Sequence, residues 1–157
     1  MQISALAKQQ EPDRPPNAKP WVGRVLLIVE DDDVFRDQLA KVMAGRGFVT
    51  VSASSLSEAR RAIREHKPEY AIVDLHLGVD ESGLQVIEAL RGQEHPTRSL
   101  ILTGYGNTPT AVTAVKLGAV DYMAKPADAD EIIQALMAAD GGLRHAQLVG
   151  GTGGTAR

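Results

Sequence analysis

Four apolar runs in this chain each end in residues whose side chains are able to do chemistry. In chain order these residues are Glu30 and Asp31 after the first run, Asp74 after the second, Thr103 after the third and Lys125 after the fourth. Each run has the composition of a buried strand. In an open parallel α/β sheet, the carboxyl ends of the strands form the edge where ligands bind. The sequence therefore predicts one crevice that holds three carboxylates, a hydroxyl and an amine.

Three carboxylates in such a crevice repel one another, by about 4 kcal/mol per pair at ~4 Å and intermediate dielectric. A hard divalent cation relieves this repulsion, and Mg²⁺ is commonly held by one or two carboxylates together with phosphate oxygens. The pocket therefore suits phosphoryl transfer, with Asp74 as the nucleophile that forms an acyl phosphate. Lys125 neutralises phosphoryl oxygens in this interpretation, and the Thr103 hydroxyl donates to another one.

Strand and helix signals alternate along the chain and predict five β/α units around a parallel sheet. The predicted strands are residues 25–29, 48–52, 70–73, 100–102 and 119–123. The first helix is predicted from apolar residues at helical spacing, and the second from a capping box. The residues behind these two predictions are Phe35, Leu39, Val42 and Met43 for the first helix, and Ser55 and Glu58 for the second. The third helix carries Leu84, Val86, Ile87 and Leu90, and the last two are predicted at residues 110–116 and 129–139.

The domain limits follow from composition. Proline and charged residues crowd residues 9–20, and glycine is frequent after residue 140. Such segments favour disorder and flexible tails. We therefore predict a flexible segment at residues 1–22, one folded domain at residues 23–139 and a flexible tail at residues 140–157.

Composition excludes several classes of function. The chain has no cysteine, which rules out disulfides and thiolate sites. No apolar run is long enough for a membrane helix and no signal peptide is recognisable, so we expect a cytoplasmic protein without membrane contact. The formal net charge is −3, and residues 24–139 hold 12 basic and 17 acidic residues. This balance does not favour nucleic-acid binding by the core.

Four motifs together carry a family resemblance. They are Val-Glu-Asp-Asp-Asp at residues 29–33, Val-Asp-Leu-His-Leu at 73–77, Leu-Thr-Gly-Tyr-Gly at 102–106, and Gly-Ala-Val-Asp-Tyr-Met-Ala-Lys-Pro-Ala-Asp at 118–128. The segment from about Arg24 to Ala139 resembles the receiver domain of two-component response regulators. The resemblance implies a flavodoxin-like (CheY-like) α/β fold, with a five-stranded parallel sheet in the order 2-1-3-4-5 and five helices on both faces. It also implies phosphorylation of Asp74 by a sensor histidine kinase.

The resemblance assigns a role to each matching residue. Glu30 and Asp31 match the acidic pair, with Asp31 as a direct Mg²⁺ ligand beside Asp74, and the backbone carbonyl of His76 faces the metal. Thr103 matches the switch hydroxyl and Lys125 the family's lysine, whose bond to Pro126 is often cis. Tyr122 matches an aromatic rotamer switch, with a half-buried core aromatic as the alternative. Tyr105 is either an exposed loop aromatic or a shield for the phosphoryl group.

Within the family, the motifs look most like the RegA/PrrA/ActR group of redox-responding regulators. That group carries a helix-turn-helix after the receiver, whereas only residues 140–157 remain here. The resemblance implies transcription control through an output domain absent from this chain, which by itself should not bind DNA. A homodimer through residues 108–124 is expected on phosphorylation. The loop from Gly78 to Ser82 is about one residue longer than is usual.

The sequence leaves three other functions to compare with this one. A stand-alone phosphorelay receiver, or a receiver used only for protein binding, needs no output domain. An aspartate-nucleophile phosphatase places a second Asp two residues after the nucleophile, where this chain has His76. An FMN binder needs a phosphate loop rich in Ser, Thr and Gly after the first strand, where this chain has acids. The chain is therefore expected to be a signalling switch that is not a metabolic enzyme.

Overall fold

The structure, a computed structural model, describes residues 17–78, 81–104 and 109–138. The predictions made for residues 1–16, for Tyr105 and for residues 139–157 lie outside this part of the chain. Within the described residues, none of the helices combines the length and the apolar character that crossing a membrane requires.

Five parallel strands form one sheet in the order β2-β1-β3-β4-β5. This confirms the predicted fold class. The strands are β1 (Val25–Val29), β2 (Val49–Ala53), β3 (Tyr70–Asp74), β4 (Arg98–Thr103) and β5 (Asp121–Ala124). The order changes direction between β1 and β3, and ligands of doubly wound folds bind at such a point, beyond the carboxyl ends of the strands.

A helix follows each strand. The helices are α1 (Asp33–Gly45), α2 (Leu56–His66), α3 (Gly83–Arg91), α4 (Pro109–Lys116) and α5 (Ala129–Met137). Successive strand residues point to opposite faces, so the sheet builds two cores. Leu27 and Val29 lie in the core shared with α2, α3 and α4, whereas Leu26 and Ile28 lie in the core shared with α1 and α5.

Most predicted elements are found within one or two residues of their expected limits, and one core assignment is wrong. The helical spacing predicts Val42 on one face of α1 with Phe35, Leu39 and Met43, but 46% of Val42 is exposed. Leu39 and Met43 are buried and lie one turn apart, with Phe35 partly buried a turn earlier. Val42 lies about 100° around the helix from Met43, on the side that faces solvent.

The capping box at the start of α2 also differs from its predicted form. The Ser55 side chain accepts the Glu58 N–H at 3.1 Å, as expected of an N-cap. The Glu58 carboxylate, however, accepts the backbone N–H of Ser54 at 2.7 Å and the Ser54 hydroxyl at 2.8 Å. The return bond therefore reaches one residue further back than a capping box requires.

Trp21 packs at the beginning of the described fold. Its ring stacks on Phe48 with centroids 6.1 Å apart, and its indole N–H donates to the carbonyl of Arg46 at 2.7 Å. These contacts fix the chain just before β1, at the end of the sheet opposite the predicted crevice.

Candidate functional site

The predicted acidic residues meet at the carboxyl edge of the sheet. Glu30, Asp31 and Asp74 each place one carboxylate oxygen within 4.8 Å of the others. Glu30 and Asp74 are buried, whereas Asp31 is exposed. The three carboxylates line an open crevice of about 480 Å³, whose other lining residues are Asp32, His76, Gly104 and Lys125.

Lys125 brings a positive charge into this group from the end of β5. Its Nζ lies 2.6 Å from Glu30 Oε1 and 3.5 Å from Asp74 Oδ2. Its backbone N–H donates to the carbonyl of Thr103 at 2.8 Å, which ties the lysine to the end of β4. The amine also lies 4.8 Å from the centre of the Phe35 ring, within cation–π range. The Lys125–Pro126 bond is cis.

Burial and charge shift the ionisation of this pair. Burial raises the pKa of Glu30 to about 7, although the hydrogen bond from Lys125 opposes the shift. Burial alone would lower the pKa of Lys125, but its hydrogen bond with Glu30 and the charge of Asp74 outweigh burial, so the pKa is raised. Lys125 therefore stays protonated at neutral pH, which suits a group that neutralises phosphoryl oxygens.

The loop between β1 and α1 is held by bonds that orient the acidic pair. The backbone N–H of Asp32 donates to Glu30 Oε2 at 3.1 Å, and Asp32 Oδ1 accepts the N–H of Phe35 as the N-cap of α1. Arg36 donates from Nη1 to the carbonyl of Glu30 at 2.7 Å and from Nη2 to Asp33 at 2.6 Å. Sequence reasoning missed Arg36; its position one helical turn after the acidic run was the available signal.

The loop between β3 and α3 approaches the main chain of Asp74 closely. The N–H of Gly83 donates to the carbonyl of Leu75 at 2.9 Å, and a Cβ on Gly83 would overlap the carbonyl oxygen of Asp74. Only glycine fits this contact without a shift. His76 is exposed and lines the crevice. Residues 79 and 80, in the loop predicted to be longer than usual, lie outside the described residues.

Thr103 and Tyr122, the predicted switch pair, are both buried. Thr103 ends β4 with no exposed surface, and Tyr122 is 9% exposed. Tyr122 stands opposite Ile101 in the sheet register and belongs to the buried cluster that also contains Ala111 and Ala114 of α4. In this arrangement Tyr122 occupies a core position, and its movement remains a prediction.

The donor set fits a hard divalent cation. Carboxylate oxygens from Glu30, Asp31 and Asp74 converge without a sulfur or imidazole ligand among them, and oxygen is what Mg²⁺ and Ca²⁺ prefer. The adjacent amine of Lys125 and the open side of the crevice leave space for a phosphoryl group. The arrangement is therefore suited to phosphoryl transfer onto a carboxylate assisted by a metal ion.

Comparison with known proteins agrees with this geometry. The response regulator receiver domain matches residues 26–137, and the chain belongs to this family. Receiver domains of two-component response regulators are signalling switches, in which phosphorylation and Mg²⁺ are general features.

Two curated relatives are similar along the same segment. The acid tolerance regulatory protein ActR of Sinorhizobium medicae is 54% identical over 112 residues, which are 71% of this chain and 57% of that protein. The photosynthetic apparatus regulatory protein RegA of Cereibacter sphaeroides is 50% identical over 115 residues, 73% of this chain and 62% of that protein. The predicted likeness to the RegA and ActR group is confirmed. The matched segments span about three fifths of the length of each of these two relatives.

Solved structures show the same fold. A response regulator from Burkholderia pseudomallei, determined with a phosphorylated aspartic acid, a calcium ion and citrate, is 36% identical, with a TM-score of 0.72 over 80% of this chain and 74% of that chain. The receiver domain of NtrX from Brucella abortus is 31% identical, with a TM-score of 0.63 over 69% of this chain and 92% of that chain.

Proposed function

We propose that this chain is a phosphoacceptor switch in which Asp74 receives a phosphoryl group from a cognate sensor histidine kinase. The observation that carries the proposal is the position of Lys125, whose Nζ reaches both Glu30 and Asp74 at the edge where three carboxylates converge. An amine in this position offsets the repulsion between the carboxylates, and it is also placed to neutralise an oxygen of a phosphoryl group on Asp74.

The metal site is proposed to be formed by the carboxylates of Glu30, Asp31 and Asp74 and by the backbone carbonyl of His76. Mg²⁺ is the proposed ion, and when bound it supplies charge neutralisation for the phosphoryl oxygens and for the attacking carboxylate. Asp31 is exposed and faces the crevice, so it is suited to be a direct ligand. Glu30 already binds Lys125 and the Asp32 N–H, and acts on the metal through water.

The chain's own residues then perform the transfer. An oxygen of Asp74 attacks phosphorus, the bond from phosphorus to the histidine nitrogen of the kinase breaks, and the imidazole leaves with the electron pair. The product is an acyl phosphate on Asp74. Lys125 neutralises one phosphoryl oxygen, and the Thr103 hydroxyl donates to another. Hydrolysis by water restores the carboxylate, so the chain turns over only its own phosphoryl group and no metabolite.

The output is proposed to be a change of surface. Movement of Thr103 towards the phosphoryl oxygens opens space beside Tyr122, whose ring lies in the core, and is proposed to favour the inward rotamer of Tyr122. This remodels the face formed by residues 104–124. This is a shift between two states of one element. Partners that read this face are proposed to be proteins, including a second copy of the chain, because residues 24–139 hold 12 basic and 17 acidic residues and do not favour duplex DNA.

The likeness to ActR and RegA supports a cytoplasmic role in transcription control, exerted through an output domain. The receiver is proposed to span residues 23–139. The alternative is a stand-alone receiver that transfers its phosphoryl group to another protein or binds another protein through its surface.

Incubation with labelled acetyl phosphate tests the proposal without knowledge of the kinase. We expect a base-labile label that requires Mg²⁺ and disappears when EDTA is added before the phosphodonor. A chain that takes up no label, or takes it up equally with EDTA, would contradict the proposed function.

A further inference from the structure

The carboxylate of Glu81 reaches from the loop between β3 and α3 to a neighbouring helix. Its Oε1 accepts the backbone N–H of Leu56, the first residue of α2, at 3.0 Å across 25 positions of sequence. The first N–H groups of a helix have no partner inside the helix, and its N-terminus favours negative charge. Glu81 therefore fastens this loop to the start of α2.

Glu81 also helps to close the loop on itself. The N–H of Leu77 donates to the Glu81 carbonyl at 3.3 Å, and His76 pairs with Ser82 in an isolated antiparallel bridge. The N–H of Gly83 donates to the carbonyl of Leu75 at 2.9 Å. These bonds hold the main chain of His76, which carries the proposed carbonyl ligand. Glu81 connects the same loop to α2.

The end of β2, three residues before α2, is bonded in turn to Glu30. The backbone N–H of Glu30 donates to the carbonyl of Ala53, the last residue of β2, at 3.0 Å. The turn from Ala53 to Leu56 therefore contacts both loops that supply the metal site. One side of the turn holds Glu30 at the end of β1, and the other side holds Glu81 in the loop after β3.

We propose that Glu81 is a positioning residue for the metal site, which fixes the His76 loop relative to Glu30 and Asp31 through its bond to Leu56. The inference rests on the proposed function, since the divalent cation is the ligand that this arrangement serves. Mg²⁺ demands near-ideal octahedral geometry, so a displaced carbonyl weakens its binding. Loss of a group that orients a metal ligand typically costs about 10- to 100-fold in affinity.

Three variants separate positioning of the loop from stability of the helix. Glu81→Ala removes the bond to Leu56, whereas Glu81→Gln retains an oxygen that accepts the same N–H. Glu58→Ala is the matched control, because Glu58 caps the same end of α2 through Ser54 and makes no bond to the described residues of the His76 loop. Each variant is titrated with Mg²⁺ by calorimetry, unfolded in urea, and followed by amide hydrogen exchange at Leu56 without metal.

We expect Glu81→Ala to raise the Mg²⁺ dissociation constant on the order of tenfold and to speed exchange at Leu56. Glu81→Gln should restore most of the affinity, and Glu58→Ala should bind Mg²⁺ as the wild type does while losing some stability. Wild-type Mg²⁺ affinity in Glu81→Ala, unchanged exchange at Leu56, or an equal loss of affinity in Glu58→Ala would overturn the inference. A wild-type chain that binds no Mg²⁺ would instead contradict the proposed function, and the inference with it.

Discussion

The amine of Lys125 donates to the carboxylate of Glu30 at 2.6 Å, so the cation proposed to meet the phosphoryl group is paired with an acid of the proposed metal site. Asp74 Oδ2 lies 3.5 Å from the same Nζ. The lysine therefore offsets carboxylate repulsion in the crevice. A divalent cation held by Glu30, Asp31 and Asp74 would offset the same repulsion, which would leave Lys125 available to the phosphoryl oxygens.

Replacing Lys125 by methionine should separate metal binding from phosphorylation. The variant loses a cation that repels Mg²⁺, so we expect severalfold tighter Mg²⁺ binding by calorimetry. The rate of labelling by acetyl phosphate should fall on the order of 100-fold, the typical cost of removing one group that stabilises transition-state charge. Lys116→Met, at the exposed end of α4, is the matched control. Weaker Mg²⁺ binding in Lys125→Met would contradict this assignment.

The two acids after β1 should contribute unequally to Mg²⁺ binding. Glu30 is buried and already bonded to Lys125 and to the Asp32 N–H, whereas Asp31 is exposed in the crevice. We expect Asp31→Asn to raise the Mg²⁺ dissociation constant by about tenfold or more, and Glu30→Gln to raise it less. A Mg²⁺ titration that gives equal losses would refute the ranking of direct and water-mediated roles.

Gly83→Ala should destabilise the fold because the new methyl group overlaps the carbonyl of Asp74. We expect a loss of about 1–3 kcal/mol in the free energy of unfolding, the usual cost of overpacking. Gly92→Ala is the control: its φ is −75°, and the nearest atom to an added Cβ is 3.6 Å away. It should be neutral or stabilising. Urea unfolding of both variants checks the difference, and equal stabilities would show that the close approach at Gly83 is not kept in solution.

Thr103 should carry the signal from the phosphoryl group to Tyr122. With a beryllofluoride mimic and Mg²⁺, amide shifts in the wild type are expected to extend through β5 and α4. In Thr103→Ala they should stay around Asp74 and the acidic pair, because the hydroxyl that follows the phosphoryl oxygens is gone. Thr50→Ala, on the edge strand β2, should respond as the wild type does. Shifts that spare β5 and α4 in the wild type itself would refute the switch.

The main features of the site could be predicted because they depend on local pattern. A strand-like run followed by an acid, a hydroxyl or an amine places that residue at the carboxyl edge, and the parallel sheet then gathers all four strand ends. Local pattern does not give the strand order, which could be inferred only from the family resemblance. What could not be predicted depends on side-chain orientation and on contacts between distant segments. Glu81 reaches Leu56 across 25 positions of sequence, which no local spacing encodes. Helical spacing places Arg36 near the acidic run and Val42 beside Met43, but it does not specify that Arg36 bonds the Glu30 carbonyl or that Val42 faces solvent.

The most direct measurement of the central claim is the identity of the labelled residue. Wild type, Asp74→Asn and Asp130→Asn are incubated with acetyl phosphate and Mg²⁺. The acyl phosphate is then reduced with tritiated borohydride, which releases phosphate and leaves labelled homoserine, and the label is mapped to peptides. Asp130 is exposed at the start of α5 and serves as the control. The account predicts label on Asp74 in the wild type and in Asp130→Asn, and none in Asp74→Asn. Label that persists at wild-type level in Asp74→Asn would contradict it.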